Sequence, residues 1–123
     1  GMLMLFRFPP IWKIIMKKGE IWLVELPATE GHEQSGNRPA ILLVETEINI
    51  VIIVPLTSNL QALRFPHTIE IKPSIVNGLN NISIGLVFQL RAIDRIRLKK
   101  KIGNIEEQKL EELDSMMKKM LKL

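Results

Sequence analysis

Two apolar runs that lie close together in the chain constrain the fold most strongly. Residues 39–46 and 50–56 are almost continuously apolar and rich in Val and Ile. Runs of this length and composition are typical of strands that are buried on both faces. Only Glu47-Ile48-Asn49 separates them, which is short enough for a hairpin connection. The sequence therefore predicts an antiparallel hairpin of two buried strands.

Further strand signals lie on both sides of this hairpin. Residues 19–26 carry β-branched and aromatic residues after a glycine, and residues 66–72 alternate as a half-buried strand does. Residues 77–81 have the Asn and Gly content of a turn. Residues 82–90 then form another apolar strand, and residues 91–98 continue as a strand or a short helical turn.

The last segment has the periodicity of an amphipathic helix. One apolar stripe is formed by Leu110, Leu113, Met117, Met120 and Leu121. Asn104 is the expected N-cap, with Glu107 three residues later as in a capping box. Several short strands followed by one helix predict a mainly β domain, a small barrel or curled sheet with helical cover.

Composition sets broad limits on function. The 123 residues suffice for one modest core, and a net charge of +4 suits a polyanionic partner such as nucleic acid without requiring one. The absence of cysteine excludes disulfides, thiol nucleophiles and thiolate metal sites, and two histidines are too few for a metal site built from His. We therefore expect neither a metal nor a cofactor.

The N-terminal residues are treated separately from the domain. Gly1-Met2 has the form of a scar left by tag removal, and charged residues and prolines interrupt the apolar stretch that follows. Its uninterrupted runs are far shorter than the ~20 residues of a membrane-spanning helix. We expect residues 1–15 to be a tag scar and an N-terminal extension, either poorly ordered or lying on an apolar surface. Residues 16–123 are expected to form a single domain without membrane association.

A polar segment, GHEQSGNRP from Gly31 to Pro39, joins the first strand to the hairpin. Glu33 can accept a proton, and the guanidinium of Arg38 has a planar donor fork suited to phosphate. Pro39 restricts Arg38 to extended geometry. Taken alone, the segment is more typical of a polar surface loop than of a site.

Other positions also combine a candidate role with a plainer structural one. Thr57 and Ser58 end an apolar strand with hydroxyls that could bond a substrate oxygen or simply begin a turn. Gln89 and Arg91 would share one strand face and could contact a base edge and a phosphate, although solvated polar residues are the commoner case. His67 is a candidate general acid or base, but a lone histidine at a strand edge is more often merely exposed.

The run from Arg95 to Lys101 is strongly basic. Such a run could follow a phosphate backbone, which is the main source of non-specific nucleic-acid affinity. More often it is only a solvated face of the protein.

The order of these segments resembles the MazF/PemK family of toxin–antitoxin ribonucleases. From about Met16 to the C-terminus, the chain carries KKGEIWLVEL, GHEQSGNRPAILLV, VIIVPLTS, FPHTIEI and FQLRAIDRIRLKKKIGNI in this order. The most specific part is the E-Q-x-G-x-R-P segment followed by P-x-T-S. In this arrangement GHEQSGNRP becomes a candidate catalytic loop.

The resemblance implies a fold, an activity and partners. The fold would be a small SH3-like β-barrel of the MazF/PemK/CcdB type with a C-terminal helix, usually in a homodimer. The activity would be metal-independent, sequence-selective cleavage of single-stranded RNA, as in a cytoplasmic mRNA interferase. The partner besides RNA would be a cognate antitoxin protein.

The resemblance also implies roles for matching residues. Arg38 and Thr57 match the catalytic arginine and the catalytic hydroxyl residue, and Glu33 matches an acidic residue implicated in some members. Gln34 and Gln89 match polar positions near the RNA groove. Further candidate substrate-binding residues are His32, Ser58, His67 and Arg91.

These side chains suit metal-free RNA cleavage, in which the 2′-OH attacks the adjacent phosphorus to give a 2′,3′-cyclic phosphate and a 5′-OH. The fixed charge of Arg38 suits stabilisation of the phosphorane, and Thr57 would polarise a phosphate oxygen. Glu33 is the candidate base, with a histidine as the substitute.

The chain departs from the pattern of the family that it resembles at two places. The link ETEIN after the second strand is short, and Phe88 stands where members of that family often have a polar or acidic residue, so the sequence does not predict which RNA sequence is cut.

Two alternatives to an RNA-cleaving toxin remain. One is a DNA-gyrase inhibitor of the same fold (CcdB-like), which acts by protein contact and lacks the two paired motifs, and the other is an inactive relative.

Overall fold

The computed structural model describes residues 16–26 and 36–123. The expectations for residues 1–15 and for His32, Glu33 and Gln34 fall outside these residues. The strands are β1 (Glu20–Leu26), β2 (Gly36–Glu45), β3 (Ile50–Thr57), β4 (Thr68–Ile71), β5 (Ser83–Leu86), β6 (Arg91–Asp94) and β7 (Leu98–Asn104). Within the described residues one α-helix, α1 (Glu107–Leu121), follows them, and three short 3-10 helices cover Leu60–Arg64, Val87–Gln89 and Arg95–Arg97.

The strands form one curled antiparallel sheet in the order β4-β5-β3-β2-β1-β7, with β6 also paired to β3. Within the described residues, β4 and β7 end the sheet and do not pair with each other. The turn after β4 bridges them instead, because the backbone N–H of Asn104 donates to the carbonyl oxygen of Val76 at 2.9 Å. The predicted mainly β fold with a C-terminal helix is confirmed, as a curled sheet that strand pairing does not fully close.

The predicted central hairpin is also confirmed. Strands β2 and β3 pair in the register Ile41↔Val54 and Leu42↔Ile53. Ile41 and Val54 belong to one core cluster, whereas Leu42 and Ile53 belong to a second cluster, and all four are buried. Because successive side chains of a strand point to opposite faces, this division shows why both runs are continuously apolar.

Helix α1 covers the first of these clusters. Leu113 is fully buried, and the partly buried residues packed beside it include Leu110, Met116, Met117 and Met120. The helix begins later than the sequence predicts, since Asn104 is the last residue of β7 and Glu106 holds the N-cap position. The capping-box prediction was wrong because pairing with β1 and the bond to Val76 extend the strand through Asn104.

Candidate active site

The β2–β3 register brings together the two residues predicted to be catalytic. The last paired residues at this end of the hairpin are Ala40 and Pro55. Continuing that register by two residues on each strand places Arg38 opposite Thr57. On its other side Arg38 pairs with Val24 of β1. The start of β2 and the end of β3 therefore hold both side chains at one end of the hairpin, and both are half-buried.

Thr57 is oriented by the chain that follows it. The backbone N–H of Asn59 donates to Thr57 Oγ1 at 3.2 Å. Asn59 in turn accepts from the N–H of Gln61 and caps the short helix Leu60–Arg64. Within the part of the chain that the structure describes, the Thr57 hydroxyl accepts this bond and donates none. It retains the capacity to donate to a ligand oxygen.

Two cavities meet at this pair of residues. Arg38, Leu56, Thr57 and Asn59 line both of them. The first has a volume of about 610 Å³, and the second has a volume of about 180 Å³. A ligand that crosses from one cavity to the other would pass over the guanidinium and the hydroxyl.

The smaller cavity, here called the phenylalanine cavity, contains two exposed aromatic rings. Phe65 and Phe88 are 45% and 40% exposed. Their ring centroids are 5.8 Å apart with 50° between the planes, and the guanidinium carbon of Arg64 lies 5.1 Å from the Phe65 centroid. Gln89 and Arg91 complete its polar side. Exposed rings beside hydrogen-bonding groups are suited to stacking and reading a nucleobase.

The structure places Gln89 and Arg91 differently from the sequence prediction. They do not share a strand face, because Gln89 ends the 3-10 helix Val87–Gln89 and Arg91 begins β6. The 3-10 turn interrupts the predicted strand after Leu86. Both side chains nevertheless line the phenylalanine cavity.

The larger cavity, here called the asparagine cavity, is lined on its polar side by Ser58, Asn59, Asn80, Asn81 and Lys100. Ser58 was predicted as a substrate-binding residue, and it lies here, beside Thr57. Asn80 and Asn81 come from the turn that the sequence predicted from residues 77–81. Amide and hydroxyl groups of this kind both donate and accept hydrogen bonds.

A buried hydrogen-bond network fixes the turn that carries these asparagines. The amide nitrogen of the fully buried Asn77 donates to the carbonyl of Lys72 at 2.8 Å and to Glu106 Oε1 at 2.9 Å. Its amide oxygen accepts from the backbone N–H groups of Ser74 and Leu79, each at 3.0 Å. The turn is thus tied to β4 and to the start of α1.

Close backbone contact fixes the same turn against β7. Gly78 has φ +68°, and a Cβ at this position would collide with the carbonyl oxygen of Ile102. A Cβ at Gly103 would collide with the backbone of Asn77. Position 78 requires both a close approach to the Ile102 backbone and a positive φ, and glycine is the residue that meets both requirements without strain. The wall of the asparagine cavity is therefore preorganised.

His67 lines neither of these cavities. It has φ +58° and lines a separate cavity of about 340 Å³ with Glu112, Ser115, Met116 and Lys119 of α1. The predicted site residues His32, Glu33 and Gln34 are not described, so the structure gives no position for the candidate base Glu33.

Sequence reasoning missed Phe65, Asn80, Asn81 and Lys100 as residues of the site. Phe65 was seen only as part of FPHTIEI, and the two asparagines only as turn formers. Lys100 was one of several cations in a basic run. The exposure of Phe65 and the strand register around Lys100 are properties of the folded chain, and composition carries no signal for them.

The described residues lack two further features, a metal site and a membrane-spanning helix. Residues 16–26 and 36–123 contain no group of three or more His, Asp or Glu side chains placed to hold a metal ion. No helix in this part of the chain has the length and apolar character needed to cross a membrane.

Comparison with known proteins assigns the family. The sequence profile of the PemK-like, MazF-like toxins of type II toxin–antitoxin systems matches residues 17–121. The chain belongs to this family, which is the one that the ordered motifs resemble.

Individual relatives agree with this assignment. An endoribonuclease MazF of Staphylococcus saprophyticus is 29% identical over an alignment of 105 residues, and the match covers 82% of this chain and 87% of that protein. The crystal structure of MazF from Deinococcus radiodurans superposes with a TM-score of 0.68 at 21% identity, covering 88% of this chain and 97% of that one. An endoribonuclease from a mycobacterial species, in complex with its cognate antitoxin, gives a TM-score of 0.62 at 14% identity over 86% and 92% of the two chains.

Proposed function

We propose that this chain is a sequence-selective endoribonuclease toxin that cleaves single-stranded RNA. Arg38 and Thr57 are its proposed catalytic residues. The observation that carries the proposal is the position of this pair where the two cavities meet. One cavity offers exposed rings and the other offers amides and a lysine. Aromatic rings, amides and cations are the groups that bind unpaired bases and backbone phosphates. Family membership supports the same activity.

The side chains suit a reaction in which the RNA supplies its own nucleophile. The 2′-oxygen forms a bond to the adjacent phosphorus as the bond from phosphorus to the 5′-oxygen breaks. The products are a 2′,3′-cyclic phosphate and a 5′-OH end. Charge builds on the non-bridging oxygens during this step, and a fixed guanidinium stabilises that charge.

Arg38 supplies the positive charge in this step, and Thr57 helps to orient the phosphate. The planar fork of Arg38 can hold two phosphate oxygens at once. The hydroxyl of Thr57, held from behind by the N–H of Asn59, donates to a third phosphate or sugar oxygen. Together they fix the phosphate in the geometry for in-line attack, which is a large part of catalysis in phosphoryl transfer.

Proton transfer needs an acceptor for the 2′-OH proton and a donor for the 5′-oxygen. Glu33 is the proposed base, because it precedes Arg38 by five residues in the same glycine-flanked segment. His32 and Gln34 are proposed to contact RNA from that segment. His67 is the weaker substitute for the base, since its cavity is separate from the two that Arg38 lines.

The proposal extends to the partners of the toxin. We expect a homodimer, and a cognate antitoxin that neutralises the toxin by covering the RNA-binding cavities. The mycobacterial relative bound to its antitoxin supports such a partner. A toxin that cleaves mRNA would act in the cytoplasm.

The test is cleavage of a long RNA by the purified protein in the presence of EDTA, beside Arg38→Ala and Thr57→Ala. We expect the unmutated protein to cut at a limited set of sequences, and both variants to be strongly impaired. Sequencing of the cut ends would define the recognition sequence. Intact RNA with the unmutated protein, or equal cutting by all three proteins, would refute the proposal.

A further inference from the structure

We propose that the asparagine cavity is a nucleotide subsite next to the scissile phosphate, in which Lys100 binds a neighbouring backbone phosphate and Asn80 and Asn81 contact the base. The inference rests on the proposed function. It assigns a substrate-binding role to three residues that lie outside the E-Q-x-G-x-R-P and P-x-T-S segments.

The first argument is the irregular pairing of β7 with β1. Val24 pairs with Leu98, but the next pair is Leu23↔Lys100, so Lys99 is an extra residue between them. An extra residue of this kind is a β-bulge, which changes the direction of the side chains that follow it. Lys100 lines the asparagine cavity together with its partner Leu23, whereas Lys99 does not. Two adjacent lysines thus have different surroundings.

The second argument is the distribution of charge. The ammonium of Lys101 lies 3.0 Å from the carboxylate of the buried Glu20, and Arg97 lies 3.8 Å from Glu25. Lys100 has no such acidic partner within the described residues. The lining of the asparagine cavity contains Arg38 and Lys100 but no Asp or Glu among those residues. Two cations without a carboxylate among the described lining residues favour the binding of an anion.

The third argument is the size and rigidity of the cavity. Its volume of about 610 Å³ lies within the ~300–1,000 Å³ range of small-molecule sites. A cavity of this size can hold a nucleotide. The Asn77 network and the contact of Gly78 with β7 hold the turn that carries Asn80 and Asn81. A preorganised wall loses little side-chain and loop entropy when a ligand binds.

The chemistry of the wall suits a base. The amides of Asn80 and Asn81 carry both donors and acceptors, as the edges of nucleobases do. Because the cavity shares Arg38 and Thr57 with the phenylalanine cavity, RNA would place one nucleotide in each cavity. The phosphate between these two nucleotides would then lie over the catalytic pair.

The experiment uses Lys99→Ala as a control matched to Lys100→Ala. Each variant removes one exposed lysine from the same strand, so their effects on net charge are identical. The probe is a single-stranded RNA that contains the cleaved sequence with one 2′-deoxy nucleotide at the scissile position. Affinity is measured by fluorescence anisotropy over a series of salt concentrations, together with the cleavage rate of the all-ribose RNA.

We expect Lys100→Ala to weaken RNA binding by about tenfold and to lower the slope of log affinity against log salt by about 0.7, the contribution of one phosphate contact in a single strand. Lys99→Ala should change affinity less than about twofold, because a screened surface charge contributes little. Lys100→Arg should restore most of the binding. Equal losses in Lys99→Ala and Lys100→Ala would overturn the proposal.

Base contact is tested with the double variant Asn80→Ala/Asn81→Ala on a pool of random RNA. We expect cutting to continue with relaxed preference at one position next to the cut. An unchanged preference would overturn the assignment of these asparagines.

The outcomes separate this inference from the proposed function. If the unmutated protein cleaves RNA and the two lysine variants behave alike, only the subsite is wrong. If the unmutated protein neither binds nor cleaves RNA, the proposed function fails and the subsite fails with it.

Discussion

The buried amide of Asn77 donates a hydrogen bond to the carboxylate of Glu106 at 2.9 Å, and so joins the turn after β4 to the residue that precedes α1. Ser74 Oγ donates to the same carboxylate oxygen at 2.9 Å. These contacts position one wall of the asparagine cavity from residues that do not line the cavity themselves. A substitution in the network should therefore change both stability and the site.

Asn77→Ala should lower the free energy of unfolding by about 2–3 kcal/mol. It removes the partners of the Lys72 carbonyl and of the Ser74 and Leu79 N–H groups, and a buried polar group left without a partner costs ~1–3 kcal/mol. Denaturant unfolding provides the measurement. Asn80→Ala is the control, since this exposed side chain makes none of these bonds, and it should stay within ~0.5 kcal/mol. Similar stabilities for the two variants would contradict the role given to Asn77.

Gly78→Ala should be more destabilising than Gly85→Ala. At Gly78 an added Cβ meets the Ile102 backbone carbonyl with φ at +68°, so the turn itself must move. At Gly85 the Cβ would lie 2.7 Å from Cγ2 of the Ile69 side chain. Overpacking of a core side chain costs ~1–3 kcal/mol. Thermal unfolding of both variants tests the order, and a smaller loss for Gly78→Ala would contradict the close approach of the turn to β7.

Thr57→Val should reduce the RNA cleavage rate by about 100-fold or more, since removal of one hydrogen-bond donor to a transition state has an effect of this size. Thr57→Ser keeps the hydroxyl and should retain activity within about tenfold of the unmutated protein. Single-turnover rates on one RNA measure the difference. A Thr57→Val protein as active as Thr57→Ser would remove the hydroxyl from the mechanism.

Arg38→Lys separates charge from geometry. The lysine keeps the positive charge but lacks the planar fork, so it should recover only part of the activity that Arg38→Ala loses. If one contact alone held the phosphate, Arg38→Lys would cleave RNA as fast as the unmutated protein. The interpretation that Arg38 holds two phosphate oxygens would then be wrong.

Phe88→Ala should weaken RNA binding by about 5- to 150-fold, because stacking of a base on an aromatic ring contributes ~1–3 kcal/mol. Phe88→Trp should bind at least as well as the unmutated protein. The control is Ile48→Ala in the β2–β3 turn, which removes an exposed apolar side chain, 76% exposed, far along the hairpin from the cavities. Equal affinities for Phe88→Ala and Ile48→Ala would exclude a stacking role.

The sequence predicted those parts of the fold that depend on local pattern. The β2–β3 hairpin could be predicted because strands buried on both faces require continuous apolar runs. Arg38 and Thr57 could be paired from motif order, and the register continued from Ala40↔Pro55 brings them together.

Features that depend on contacts between distant segments could not be predicted. The role of Asn104 as the end of β7 depends on its bond to Val76 and on pairing with β1. The separate surroundings of Lys99 and Lys100 depend on a bulge that exists only in the paired strand. Gln89 and Arg91 reach one cavity through a 3-10 turn, whereas simple alternation predicted a shared strand face.

The central claim is that Arg38 and Thr57 direct attack by the 2′-OH of the RNA. The most direct test compares one RNA oligonucleotide with its copy carrying a single 2′-deoxy nucleotide at the cut position, in EDTA, with mass spectrometry of the products. We predict 2′,3′-cyclic phosphate and 5′-OH ends from the all-ribose RNA, and no cleavage at that position of the deoxy copy. Cleavage of the deoxy copy at the same position, or products with 5′-phosphate ends, would contradict the mechanism.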